Sequence, residues 1–288
     1  MPRSARNPIG AHVRVVKGLA AGALAHLSRI GGAAAQVFVG NPRGWALSPG
    51  DPDQDAAFRA ACERDGIPAF VHAPYLVNVG SPTLQTYELS VESIGHNLRR
   101  AATIGARGVV VHTGSCVDEG GFDVAMRQVR KGLLPLLEEL DPDGPRLLLE
   151  PTAGQGRSLC ASVDDLGRYL DMLDRHPMAG ICLDTCHVFA AGAPLDEPGG
   201  ATGMLDQLVE VAGAERLGLV HANDSKDGRG THHDRHERIG LGRIGDTAFA
   251  EMFAHPATEG VPFVAETPGD ETAIAEDIAR LVRLRDGD

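Results

Sequence analysis

The sequence is short of several things, and each shortage removes a class of protein. Its five cysteines (62, 116, 160, 182 and 186) are odd in number and form no C-x-x-C pair, which argues against a disulfide framework and a thiolate-rich structural zinc. They read as reduced thiols of a cytoplasmic protein, with Cys182 and Cys186 as small buried residues. No long apolar run occurs. Arg14 and Lys17 interrupt the one that could follow the opening MPRSARNPIG, so neither a secretory leader nor a membrane span is expected. No low-complexity linker or block of charge marks a domain boundary, and no G-x-G-x-x-G follows the first predicted strand, which disfavours a dinucleotide-binding open sheet. Positive charge is also scarce: the formal net charge is −12, on its face unfavourable for a nucleic-acid partner.

What is present is a rhythm. Short β-branched runs alternate with amphipathic segments eight times along the 288 residues. The strand-like runs are Ile9–Val13, Ala35–Val39, Ala69–His72, Gly108–His112, Arg146–Glu150, Gly180–Asp184, Leu217–His221 and Pro262–Glu266. Several, such as VVVH and RLLLE, are apolar on both faces, as strands buried between a core and surrounding helices must be. Asp51-Pro52, the Ser162–Asp165 capping box and Asp270 mark helix starts, and Pro135 kinks the fourth helix or marks its last turns. Eight such units in one stretch of this length predict an α/β fold, a (β/α)8 TIM barrel, as a single domain over residues 1–288.

The residues that close these runs are His12, then Asn41 and Arg43 just beyond the second, His72, His112, Glu150, Asp184, His221 and Glu266. In a barrel all of them lie on the C-terminal rim, where active sites are built. Packing alone does not require a ring of imidazoles and carboxylates, so the pattern predicts a metal site. The stretch from His221 to Gly245 adds Asp234 and His236, two residues apart and therefore on one side of an extended segment. His187, in D-T-C-H, returns over the mouth through a turn after Asp184. The candidate ligands are His72, His112, Glu150, Asp184, His187, His221, Asp234, His236 and Glu266. Without thiolates, this set suits zinc, manganese or iron. Nine ligands suit two or three ions with a bridging carboxylate, and clustered ions suit in-line displacement at phosphorus. Three divalent ions would raise the net charge from −12 to about −6 and make the mouth locally positive, which can attract a phosphodiester.

Longer matches carry a family resemblance. GAHV at 10–13, NPRGW at 41–45, HAPYLVN at 72–78, LDTCHVFAAG at 183–192, HANDSK at 221–226, DRHERIGLGRIG at 234–245 and AETPG at 265–269 run in order through nearly the whole chain. In these the chain resembles endonuclease IV, the metal-dependent apurinic/apyrimidinic endonucleases of base-excision repair. The resemblance implies a xylose-isomerase-like barrel that cleaves the phosphodiester 5′ of abasic sites in double-stranded DNA. Such cleavage leaves a 3′-hydroxyl and a 5′-deoxyribose phosphate, and the family also trims blocked 3′ ends. It implies about three zinc ions: one held by His72, His112 and Glu150; a second by Glu150, Asp184, His221 and Glu266; and a third by His187, Asp234 and His236. Glu150 and Glu266 would be the catalytic carboxylates and His12 would support the ligands from behind. Arg43, Tyr75 and Leu76 match the DNA-inserting loops, and Asn78, Lys226 and Arg235 are further expected DNA contacts. A monomer is expected. The chain departs from the family pattern at Val15-Val16-Lys17, Thr231 and Ala265, none of them a proposed ligand.

Two other readings fit parts of the pattern. One is a metal-dependent sugar isomerase or epimerase on the same barrel, which needs fewer ligands and no DNA wedge. The other is a non-catalytic protein that binds damaged DNA, against which the intact ligand set counts. His26, His96, His176 and His255 receive no role, and the pair His232–His233 reads as loop residues.

Overall fold

The computed structural model describes residues 6–116 and 121–287; Arg3, one of the two arginines in the opening segment, lies outside them. Eight parallel strands close into a barrel: β1 (Ile9–His12), β2 (Ala35–Val37), β3 (Ala69–His72), β4 (Gly108–His112), β5 (Arg146–Glu150), β6 (Ala179–Asp184), β7 (Leu217–His221) and, after a small hairpin of β8 (Asp224–Ser225) and β9 (His236–Glu237), the eighth barrel strand β10 (Phe263–Ala265). The order around the barrel is sequential, with β10 pairing β1 to close it. Strand periodicity decides which residues face inward. Ala34, Phe70, Val110, Leu148, Cys182, Leu219 and Val264 form a separate apolar cluster inside the barrel, while the alternate residues, among them Val109, Leu147, Leu149, Ile181 and Val220, belong to the larger core shared with the helices. The interior is tight. A Cβ on Gly180 would lie 2.7 Å from Leu148 Cδ2, and one on Gly10 would collide with the backbone of Ala34, so only glycine fits there.

The helices form where the sequence signals them. Helix α1 (Ala25–Arg29) is short and follows a π-helical turn at Leu19–Leu24. Asp51 caps α2 (Pro52–Asp65), accepting hydrogen bonds from the amides of Asp53 and Gln54. After α3 (Leu84–Ile104), Pro135 sits three residues before the end of α4 (Phe122–Glu138). Ser162 and Asp165 complete a capping box on α5 (Val163–Met172), and Asp270 caps α9 (Glu271–Asp286). Helices α6 (Thr185–Ala191), α7 (Gly200–Ala212) and α8 (Asp246–Ala254) lie between. A buried two-pronged ion pair, Arg100 to Asp55 at 2.6 and 2.8 Å, ties α3 to α2.

The ends of β1, β6 and β10 fall one residue from the expected Ile9–Val13, Gly180–Asp184 and Pro262–Glu266, and two expectations need a larger correction. The second strand stops at Val37 rather than Val39, because the chain leaves the sheet for the loop carrying Asn41 and Arg43, both exposed there beyond the strand. The residue at the rim level of β2 is Gln36. The segment after Asp184 is not a turn but the start of α6, with Asp184 as its N-cap: Oδ1 accepts from the backbone amide of His187 at 2.9 Å. His187 faces the mouth because it occupies the third position of that helix.

Candidate metal centre

Six of the nine expected ligands lie two residues beyond an inner apolar residue: His72 after Phe70, His112 after Val110, Glu150 after Leu148, Asp184 after Cys182, His221 after Leu219 and Glu266 after Val264. They are the next inward layer of the pleat, so the barrel that buries the apolar set delivers the polar set to one rim. The remaining three arrive on α6 (His187) and on the segment leading into β9 (Asp234, His236). That segment is anchored by the buried carboxylate of Asp224, which accepts backbone hydrogen bonds from Gly240, Gly242 and Ile244 at 2.9–3.1 Å.

The nine side chains gather into three adjoining clusters. In the first, His72 Nε2 and His112 Nε2 lie 3.4 and 3.3 Å from Glu150 Oε2. In the central one, His221 Nδ1 lies 2.9 Å from Glu150 Oε1, 3.4 Å from Glu266 Oε2 and 3.7 Å from Asp184 Oδ2. In the third, Asp234 lies between His187 Nε2 at 3.3 Å and His236 Nε2 at 3.1 Å. Glu150, fully buried, uses one oxygen in each of the first two clusters. Asp184 Oδ2 stands 3.7 Å from both His221 Nδ1 and His236 Nε2, linking the second cluster to the third.

Electrostatics show what such a centre demands. Burial alone would raise the Glu150 carboxyl, yet His221 and His112 beside it hold it well below the usual range. The same contest, decided by His221 and His12, holds Glu266 low. Burial would lower the imidazoles, but Asp184, Asp234 and Glu150 carry His187 up to about 10. His236 rises to about 9 beside Asp184, Asp234 and Glu266. Positive charge is strongly favoured at every cluster.

A proton can supply that charge, but two observations fit a metal better. Glu150 Oε2 and His236 Nε2 are buried, and although Oε2 lies 3.3 Å from His112 Nε2 and His236 Nε2 lies 3.1 Å from Asp234 Oδ1, neither contact has hydrogen-bond geometry, a costly arrangement unless something else satisfies them. Further, the Nδ1 atoms of His72, His187 and His236 lie 2.7, 3.0 and 3.2 Å from the backbone oxygens of Ala73, Pro151 and Glu266. Donating there leaves each Nε2 lone pair facing its cluster, the usual arrangement of metal-binding histidines. The atoms of the first and third clusters each lie within 4.8 Å of one another. The residues therefore fit divalent cations.

The other expected residues distribute around this centre. His12 Nδ1 lies 3.1 Å from Glu266 Oε1. Tyr75, 55% exposed, packs edge-on against Phe38 and donates its backbone amide to Pro42, so the loop of Arg43 and that of Tyr75 and Leu76 stand together at the rim. Lys226 and Arg235 are exposed and adjacent, joined by a backbone hydrogen bond of 2.9 Å. Asn78 is half-buried: its Oδ1 accepts from the amides of Gly80 and Ser115, and its Nδ2 donates to Ser115 Oγ. His232 Nδ1 lies 3.2 Å from Ala153 O and His233 pairs with Asp227, neither within the clusters. Cys182 and Cys186 are buried.

Two residues escaped the sequence reading. Gln36 is completely buried and bonds His221, Glu266 and His12. Asn223 donates to Asp184 Oδ2 at 2.7 Å and accepts from the Glu266 amide at 2.8 Å. The only available signal was parity: Gln36 follows inner Ala34 by two, as each strand-end ligand follows its own inner residue.

A closed parallel barrel with a histidine–carboxylate centre on its C-terminal rim defines a class, the xylose isomerase-like TIM barrels, and the family model of that description matches residues 24–284. Within that class the chain belongs to the endonuclease IV family. It is 56% identical over 283 residues, 98% of this chain and 96% of its relative, to a Streptomyces coelicolor protein named "Probable endonuclease 4". A Methanoculleus marisnigri protein of the same name is 38% identical, over 87% of this chain and 88% of that one. The crystal structure of endonuclease IV from Thermus thermophilus superposes with a TM-score of 0.86 at 32% identity, covering 98% of this chain and 100% of that one. A D-tagatose 3-epimerase-like protein, at 19% identity and a TM-score of 0.72 over 97% of this chain and 98% of its own, shares the fold.

Proposed function

We propose that the chain, as one barrel domain of residues 1–288 acting as a cytoplasmic monomer, is a DNA-repair endonuclease. It hydrolyses the phosphodiester 5′ of abasic sites in duplex DNA, leaving a 3′-hydroxyl and a 5′-deoxyribose phosphate, and trims blocked 3′ ends. The observation that carries this reading is the adjoining third cluster, His187–Asp234–His236, which extends a two-cluster centre sharing Glu150. The names and identities of the relatives support it, and no helix among the described residues is long and apolar enough to cross a membrane.

About three zinc ions would be held by the ligand sets His72–His112–Glu150, Glu150–Asp184–His221–Glu266 and His187–Asp234–His236, with manganese or iron also compatible in some positions. When bound, clustered divalent ions activate water and neutralise charge on the attacked phosphate and the leaving oxygen. The chain's own residues set the geometry. Glu150 holds the first two clusters in register, and Glu266 is kept ionised and oriented by His12 and Gln36. Arg43, Tyr75 and Leu76 form a wedge for a kinked step, as side chains inserted between bases do. That wedge suits an enzyme whose target must leave the stack. Lys226 and Arg235 offer cations to backbone phosphates, and Asn78, which ties the loop after β3 to the one after β4 through Ser115, is a further candidate DNA contact.

The test is a duplex oligonucleotide with one tetrahydrofuran abasic analogue. Metal-loaded protein should nick it 5′ of the analogue, and Glu266→Gln should bind it without nicking. Absence of a nick together with turnover of a ketose would replace this reading by a sugar isomerase or epimerase. Binding without nicking by the unaltered protein would make it a non-catalytic damaged-DNA-binding protein.

A further inference from the structure

Gln36 lies at the level of the ligands on β2 but carries a side chain that is neither imidazole nor carboxylate. Its Nε2 is 2.7 Å from Glu266 Oε1. An ionised carboxylate only accepts hydrogen bonds, so the NH2 end of the amide must face it. That turns Gln36 Oε1 toward His221 Nε2 at 2.8 Å. A carbonyl oxygen also only accepts, so the proton must sit on Nε2 of His221. With a cation in the cluster the imidazole carries one proton, and the lone pair of Nδ1 is left facing Glu150 Oε1, Glu266 Oε2 and Asp184 Oδ2 at 2.9, 3.4 and 3.7 Å.

We infer that Gln36 is the positioning residue of the central cluster: it sets the tautomer of His221, making Nδ1 the ligand for a divalent cation, and steers Glu266 Oε2 toward that cation. The contrast with the neighbouring histidines supports this. His72, His187 and His236 each direct Nδ1 at a backbone oxygen and present Nε2. His221 presents the opposite nitrogen, and a side chain holds it there. The outward-facing neighbours Ala35 and Val37 give Gln36 no polar company, so its three hydrogen-bond partners all belong to the centre. The inference rests on the metal-centre reading above, and it predicts that one ion can be weakened without touching a ligand.

The test measures zinc affinity and tautomer rather than activity. Wild-type protein and Gln36→Met, which keeps the length of the side chain and removes its hydrogen bonds to Glu266, His221 and His12, are titrated with zinc against a competing chelator, with folding checked by circular dichroism. One equivalent should bind about 10- to 100-fold more weakly in the variant, the cost typical of losing an outer partner of a ligand, while the others keep their affinity. Equal affinity for every equivalent in a folded variant overturns the inference; failure of the wild type to take up zinc overturns the metal-centre reading instead. If Gln36→Met does not fold, the wild type still decides. Long-range 1H–15N spectra of zinc-loaded, 15N-histidine protein should show a zinc-bound imidazole protonated at Nε2, and finding every zinc-bound imidazole protonated at Nδ1 would overturn the proposal.

Discussion

Replacing Glu150 by glutamine keeps the shape of the side chain and removes its charge at the point where two clusters meet. In the native centre its Oε2 lies between His72 and His112 at 3.4 and 3.3 Å, and its Oε1 lies 2.9 Å from His221 Nδ1. An amide in that place offers one weaker acceptor and turns N–H donors toward nitrogen lone pairs that should bind cations. Loss of an outer partner of a ligand already costs up to about 100-fold in metal affinity, and a shared ligand should cost at least as much. Two decades correspond to about 2.8 kcal/mol. Because a ligand bound only by the folded state stabilises it by mass action, that energy should appear in thermal unfolding. At about 2–4 °C per kcal/mol for a chain near this size, the expected change is about 6–11 °C. The quantity to measure is the increment in melting midpoint between chelator-treated protein and protein in a fixed excess of zinc, for wild type and Glu150→Gln. Comparing increments removes any effect of the substitution on the metal-free fold. An increment in the variant equal to that of the wild type would refute a shared carboxylate at the centre.

Three further outcomes follow from the same geometry. His187 and His236 have folded-state values of about 10 and about 9 against an ordinary 6.5. A raised folded value means the native state holds the proton more tightly, so this contribution is complete below pH 6.5 and is lost as pH rises through 9 to 10. Chelator-treated protein should therefore lose stability between pH 7 and 10, while zinc-loaded protein should not show that loss; matching profiles would contradict it. Away from the centre, Asp55→Ala leaves Arg100 buried and unpaired between α2 and α3. It should cost about 3–5 kcal/mol in urea unfolding with little change in zinc uptake, and a cost under about 1 kcal/mol would show the pair to be dispensable. Tyr75→Ala should weaken binding to abasic duplex by about 1–3 kcal/mol, the range for losing an aromatic platform for a base. Its zinc content should stay unchanged, and unaltered DNA affinity would remove Tyr75 from the wedge.

Much of the centre was legible in the chain because a β-strand has a period of two and a barrel has one functional rim. A polar residue that closes an apolar run must point where the run's inner residues point, so His72, His112, Glu150, Asp184, His221 and Glu266 could be read as a ring. Helix starts at Asp51, Ser162 and Asp270 were equally readable, since the capping groups lie within three residues of the amides they satisfy. The end of β2 was not. Val39 is as apolar as Val37, and only the position of the neighbouring strand decides where pairing stops. His187 reaches the mouth on the first turn of a helix rather than through a turn, because D-T-C-H suits either until Asp184 caps the amide of His187.

The sequence by itself determined the barrel rhythm, the ring of histidines and carboxylates at the rim and the proximity of the Asp234–His236 segment to it, through strand parity and long matched motifs. Tertiary structure decided how those ligands divide into three clusters, which oxygen of Glu150 serves which cluster, and which nitrogen each histidine presents. Those choices depend on distances of about 3 Å between residues as far apart as Gln36 and His221. Gln36 and Asn223 belong to the second group for the same reason. A glutamine in an apolar strand or an asparagine after a histidine announces nothing locally, and its role exists only once the closing of the barrel brings its partners to it.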